Sequence, residues 1–224
     1  MAKVIITRFD PEKDKAPHGE AFDFELTGGM TALDVLNGLF ISDPTLTFSY
    51  CCRSGHCGIC GAMIDGVPAL LCRTPARDGM TIGPLGCFTV LKDLAVDREA
   101  FEAEKKALRL FLERKTPYDA ENGAPEKLPP ESYAACNTAS RCIECCCCMA
   151  ACPIYEAKRH DFAGPAAFTL LARHFADPRD EMSRALMARS MGITLCIACG
   201  KCTKICPQEA DPAGMIAMML KAIS

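Results

Sequence analysis

Over residues 1–96 apolar and polar positions alternate in short runs. Lys3–Phe9 and Ala21–Thr27 are rich in β-branched and aromatic residues and read as strands, joined by the polar, Pro-containing stretch Asp10–Glu20. After Thr31, a suitable helix cap, the apolar residues Leu33, Val35, Leu36, Leu39 and Phe40 fall at helical spacing. Ala62–Ile64, Asp65-Gly66 and Val67–Leu71 read as a hairpin, because Asp-Gly suits a tight primed turn. From Asp97 to Arg114 the period becomes helical, with Phe101, Leu108, Phe111 and Leu112 on one side. The stretch Thr116–Pro130 holds four prolines among charges and cannot continue a helix. Beyond it nothing alternates with period two. The pattern predicts a small α+β domain followed by an all-helical one, divided here as residues 1–105 and 106–224.

Length and charge narrow the partners. A chain of 224 residues accommodates one large domain or two ordinary ones, each with its own core. The net charge of −3 leaves no basic footprint, so no nucleic-acid partner is expected. The longest apolar runs are Ala163–Ala172, broken by Gly164-Pro165, and Ala213–Leu220, which ends at Lys221. Crossing a bilayer takes about 20 apolar residues, so no direct membrane span is predicted. Docking on a membrane protein remains open. The opening Met1–Ile6 carries no apolar leader or twin-arginine run and reads as untargeted, which places the chain in the cytoplasm.

Cysteine changes the picture most. There are 17, an odd number, so a complete set of internal disulfides is impossible. Thiols in an untargeted chain point to a reducing compartment and to metal ligation.

Cys52, Cys57, Cys60 and Cys72 have the spacing C-x4-C-x2-C-x11-C. The first three match the plant-type [2Fe–2S] spacing, whose fourth ligand comes from further along. Gly55, Gly58 and Gly61 let the loop backbone approach closely and adopt positive φ where needed, and the hairpin then delivers Cys72. A zinc site is the alternative, but zinc knuckles usually pair two C-x2-C units and only one is present. Cys51 as first ligand would give a five-residue gap, so Cys52 is preferred. A Rieske centre needs two histidines. His56 has no suitably placed second histidine and reads as a solvated loop residue.

Cys142-x2-Cys145-x2-Cys148-x3-Cys152-Pro153 recurs as Cys196-x2-Cys199-x2-Cys202-x3-Cys206-Pro207. This is the bacterial two-cluster ferredoxin run, whose fourth cysteine ligates the other cluster. By that rule one [4Fe–4S] cluster takes Cys142, Cys145, Cys148 and Cys206, and the other takes Cys196, Cys199, Cys202 and Cys152. Each proline ends its ligand turn, which frees the fourth sulfur to cross over. Twelve cysteines are thereby assigned. Cys51, Cys87, Cys136, Cys146 and Cys147 are left as small buried hydrophobes or spectator thiols.

A [2Fe–2S] domain followed by a helical two-cluster domain resembles the iron–sulfur subunit of succinate dehydrogenases and fumarate reductases. The resemblance extends over nearly the whole chain. Arg8–Asp10-Pro11 with Ala16-Pro17-His18 resembles the family's opening strand and loop, and Met80–Asp97 its closing segment of the first domain. Gly164-Pro165-Ala166-Ala167 and Asp177-Pro178-Arg179-Asp180 resemble the helical region between the two runs, and Asp211-Pro212-Ala213 the segment after the last. The resemblance implies a β-grasp first domain and an electron relay. A flavoprotein subunit carrying FAD interconverts succinate and fumarate. A quinone-binding membrane anchor takes the far end, and this subunit sits at the cytoplasmic face of the membrane through its partners. No catalytic residue is expected in this chain.

Two departures stand out. Commoner members lack the second cysteine of the last run and carry a [3Fe–4S] cluster there. Here Cys199 is present, so [4Fe–4S] is expected, with [3Fe–4S] as the alternative. Many members also place a Trp after the first Cys-Pro and a His after the first cysteine of the second run. This chain has no Trp and reads Pro153-Ile154-Tyr155-Glu156 and Cys196-Ile197-Ala198. The usual residues for contact with ubiquinone are thus absent, and a cysteine-rich subunit of the heterodisulfide-reductase kind is an alternative partner. The rival readings are the same module serving a different flavoprotein, and a free-standing ferredoxin-like carrier.

Overall fold

The alternation of Ala2, Val4 and Ile6 inward with Lys3 and Ile5 outward makes the first segment a half-buried strand. A computed structural model describes residues 1–223. In chain order its elements begin with β1 (Ala2–Arg8), β2 (His18–Phe24), α1 (Ala32–Ser42), β3 (Gly61–Ile64), β4 (Val67–Leu70) and β5 (Met80–Gly83). They continue with β6 (Thr89–Lys92), β7 (Ala95–Asp97), α2 (Glu99–Ala107), α3 (Pro130–Ser140), α4 (Cys147–Ala150) and α5 (Pro153–Lys158). The last are α6 (Pro165–Phe175), α7 (Arg184–Ser190), α8 (Lys201–Lys204) and α9 (Pro212–Ile223). Two compact units form: Met1–Ala100 with Ile143–Ala151, and Phe101–Cys142 with Cys152 onwards.

The first unit is a five-stranded mixed sheet of order β2-β1-β5-β3-β4, a β-grasp arrangement. β1 runs antiparallel to β2 and parallel to β5, with Ile6 beside Ile82. α1 forms where the helical spacing placed it and buries Leu33, Val35, Leu36 and Leu39. Each such side chain contributes about 1.5–3 kcal/mol by leaving water. Thr31 and Asp34 cap the helix reciprocally. The expected hairpin is β3–β4, with Asp65 (φ 50) and Gly66 (φ 77) both left-handed as a primed turn requires. β2 starts at His18 rather than Ala21. The polar residues His18-Gly19-Glu20 are held by the ladder, which pairs Arg8 with His18, rather than by burial.

Arg8 ties this unit together. Its guanidinium reaches Asp93 Oδ1 (3.1 Å), Asp43 Oδ2 (2.6 Å) and Thr45 Oγ1 (2.9 Å). Asp93, almost wholly buried, also accepts the backbone N–H of Phe9 and Thr47. One cluster of charge-assisted bonds therefore joins β1, the end of α1 and the β6–β7 turn.

The second unit is helical. α6 is buried along most of its length between α3, α7 and α9, and Phe162 packs on Phe168 at 5.4 Å. The expected helix from Asp97 to Arg114 is corrected: α2 ends at Ala107, Arg109 turns left-handed (φ 50), and Phe111 is exposed. The cause is Arg184. Its buried guanidinium takes the carbonyls of Leu108, Arg109 and Phe111 at 2.8, 3.0 and 2.8 Å, while Asp180 Oδ2 balances its charge at 2.7 Å. Carbonyls turned towards Arg184 cannot serve a continuing helix, and Leu108 is still buried as the apolar pattern required.

Candidate metal centres

The loop between α1 and β3 folds around the sulfur of Cys52. Arg53 (φ 60), Gly55 (φ 80) and Gly58 (φ 71) are left-handed, which turns successive N–H groups inward. Cys52 Sγ accepts N–H bonds from Ser54 (3.4 Å), His56 (3.2 Å) and Cys57 (3.3 Å), and Cys57 Sγ accepts from Cys52 N (3.5 Å). These donors, Ser54 first and His56 next, lower the Cys52 thiol to about 6. His56 contributes its backbone, and its side chain stays in solvent. Cys51 points outward and is exposed.

The β3–β4 hairpin brings in the other pair. Leu71 N bonds to Cys60 O at 3.0 Å, and the Cys60 and Cys72 sulfurs stand 3.4 Å apart, both buried. Burial, then the nearby thiols of Cys72 and Cys57, pushes Cys60 up to about 12. A cation beside these sulfurs would favour the Cys60 thiolate that burial disfavours.

Cys145, two residues before α4, and Cys148, within it, belong to the first unit, and Cys142 and Cys206 to the second. Cys145, Cys146, Cys147 and Cys148 are all buried. A hydrogen bond from the Cys147 thiol is the main cause that lowers Cys145 to about 7, and the same bond with burial raises Cys147. In the second unit the N–H of Ala210 reaches Cys206 Sγ at 3.4 Å.

The third set converges in the second unit. Cys152, Cys196, Cys199 and Cys202 line one cavity of about 300 Å³, whose walls include Phe162, Pro165, Ile216 and Leu220. Cys152 comes from the first run and the other three from the second, while Cys206 is not part of the lining. Cys152 is extended (φ −91, ψ 113) immediately before Pro153 opens α5. Ala198 (φ 53) and Gly200 (φ 71) are left-handed, so the ligand turn wraps the cavity. Burial is the first cause raising the Cys202 thiol to about 11, and Cys152, Cys196 and Cys199 add to it. Cys152 is raised in the same way by burial, with Cys199 and Cys196 as like neighbours. An apolar cavity rimmed by four thiols suits a cube of iron and sulfide.

Tyr155 lies on α5, next to the cavity-lining Ile154, and is buried rather than presented at the surface. Arg98, directly after β7, donates to Cys146 Sγ at 3.1 Å, a contact with no signal in the sequence. Gly58 and Gly61, whose close approach the sequence suggested, lie against the backbone of Ile143 and Cys145. Which segment they approach has no spacing signature, because the two segments are far apart in the chain.

Residues 3–103 match a family described as 2Fe-2S iron-sulfur cluster binding domain, and residues 138–210 one described as 4Fe-4S dicluster domain. The chain is 34% identical over 223 residues to a fumarate reductase iron-sulfur subunit of Escherichia coli O6:H1, covering 96% of this chain and 89% of that one. It is 33% identical over 227 residues to a subunit of the "Fumarate reductase (CoM/CoB)" of Methanothermobacter marburgensis, all of this chain but only 44% of that longer relative. A chain of the Mycobacterium smegmatis Sdh1 complex in the apo form superimposes with a TM-score of 0.86 at 27% identity, over 99% of this chain and 95% of that one.

Proposed function

Because the chain belongs to the iron–sulfur subunits of the fumarate reductases and succinate dehydrogenases, we propose that it relays electrons between an FAD-bearing flavoprotein subunit and a quinone-linked or other redox partner. It is the electron-transfer subunit of an oxidoreductase, not the part that binds the organic substrate. When bound, the iron–sulfur groups supply one-electron carriers. The residues of this chain hold and insulate them. Cys52, Cys57, Cys60 and Cys72 hold a [2Fe–2S] group, and the N–H bonds aimed at Cys52 stabilise added negative charge there. Cys142, Cys145, Cys148 and Cys206 hold one [4Fe–4S] group. Cys196, Cys199, Cys202 and Cys152 hold another.

The observation that carries this reading is the third cavity, where Cys152 of one run joins three cysteines of the other and Cys199 completes the set of four. With Cys199 present, that site takes four irons rather than three, and the chain holds about 10 irons in all. Iron analysis and Mössbauer spectroscopy of anaerobically prepared protein test the assignment. About nine irons with an oxidised [3Fe–4S] signal in undamaged protein would contradict it.

Among the described residues no helix is long and apolar enough to cross a membrane. Attachment to the cytoplasmic face of a membrane therefore rests on an anchor partner. A thiol-linked, cysteine-rich partner in place of quinone is the second reading. It is favoured by the missing Trp, the buried Tyr155 and the similarity of this chain to 44% of the methanogen protein whose name carries CoM/CoB. Co-purification of the partners, with turnover on fumarate using quinol or thiol donors, separates the two.

A further inference from the structure

Arg98 has no part in the ligand scheme, yet the fold aims it at the first ferredoxin run. It follows β7 directly, and Asp97 Oδ1 accepts the N–H of Glu99 at 2.8 Å, which fixes the turn from which Arg98 projects. Its Nη2 donates to Cys146 Sγ at 3.1 Å and to the carbonyl oxygen of Glu144. Its Nε is buried, and the side chain shares a small cavity of about 80 Å³ with Phe48, Ile59, Leu71 and Leu94. Cys146 is 1% exposed and left-handed (φ 60), and it stands immediately after Cys145 and two residues before Cys148.

We propose that Arg98, anchored by Cys146, places a permanent cation beside the [4Fe–4S] group held by Cys145 and Cys148 and raises its reduction potential. The inference rests on the ligand assignment given above. A guanidinium keeps its charge at any working pH, and in apolar surroundings that charge is screened less than in water. On reduction one electron, supplied through the [2Fe–2S] group, enters the cluster; no bond forms or breaks. The cation favours the state with the extra negative charge. The contacts to Cys146 Sγ and the Glu144 carbonyl hold the guanidinium against the segment that carries Cys145 and Cys148. Cys146 thereby acquires a use that its place outside the ligand spacing did not suggest. Arg98 is a positioning residue for charge, and its signature is a potential rather than a rate.

The test is an EPR-monitored redox titration of the complete, iron-loaded protein with Arg98→Met, Arg98→Lys and Cys146→Ala. In Arg98→Met the reduction equilibrium of this cluster shifts at least tenfold towards the oxidised form, about 59 mV for a one-electron couple. Arg98→Lys keeps the charge and shifts less than Arg98→Met. The cluster at Cys152 and Cys199 does not move. An iron-replete Arg98→Met protein with a smaller or opposite shift overturns the inference. Should Arg98→Met lose iron, Cys146→Ala decides: a lowered potential supports the assignment and an unchanged one overturns it. A wild-type protein with no [4Fe–4S] signal from the first run would instead defeat the ligand reading itself.

Discussion

Gly58 and Ile143 meet backbone to backbone, with no room for a side chain between them. A Cβ built on Gly58 would overlap the Ile143 carbonyl oxygen and stand 2.9 Å from Cys145 N, and one on Gly61 would stand 2.9 Å from Cys145 O. The loop that carries Cys57 and Cys60 is thus pressed directly on the segment that carries Cys145. The close approach depends on glycine at both positions.

Gly61 has ordinary φ, so Gly61→Ala introduces a clash without backbone strain. It should push the 143–145 segment away and weaken the magnetic coupling between the reduced [2Fe–2S] and first-run [4Fe–4S] groups in EPR. Gly79→Ala is the control, since Gly79 is left-handed (φ 72) but open to space; it should lose about 1–2 kcal/mol of stability and leave the coupling intact. Unchanged coupling in Gly61→Ala would show that this contact does not set the spacing.

Arg184 and Asp180 form a buried ion pair, each side chain 1% exposed, and Arg184 also satisfies three carbonyls. Removing one partner strands the other, so Arg184→Met should cost about 3–5 kcal/mol. Combined Arg184→Met and Asp180→Leu should cost less than the sum of the single changes. Denaturant titration reads both. Additive losses would argue against coupling of the two groups.

Burial raises the Glu104 carboxyl from the usual 4.5 to about 7. Below pH 4.5 it is protonated in both folded and unfolded chains and carries no penalty. Between pH 4.5 and 7 the unfolded chain ionises first, so folding loses stability as pH rises; above 7 the loss is complete. Glu104→Gln should therefore stabilise the protein at pH 8 and progressively less towards pH 5. A gain independent of pH would rule out the carboxyl as its source.

The cysteine runs and the turns of their loops are legible before the fold. Cysteine spacing is a local property, and the left-handed residues Arg53, Gly55, Gly58, Ala198 and Gly200 fall where the ligand loops must turn. Thr31 and the Asp65-Gly66 turn were equally legible, because caps and primed turns are decided within four residues. The end of α2 was not. Its apolar spacing runs on to Leu112, and what stops it is Arg184, more than 70 residues away. Arg98 and Cys146 were invisible for the same reason: their contact is between residues 48 apart in the chain.

The most direct test of the relay is Cys152→Ser. Cys152 lies in the first run but shares its cavity with Cys196, Cys199 and Cys202. Mössbauer and EPR spectra of the anaerobic variant should show loss or conversion of the last cluster, with the [2Fe–2S] group and the cluster held by Cys142, Cys145 and Cys148 intact. Damage to that first-run cluster, with the last one preserved, would contradict the crossed ligation on which the account rests.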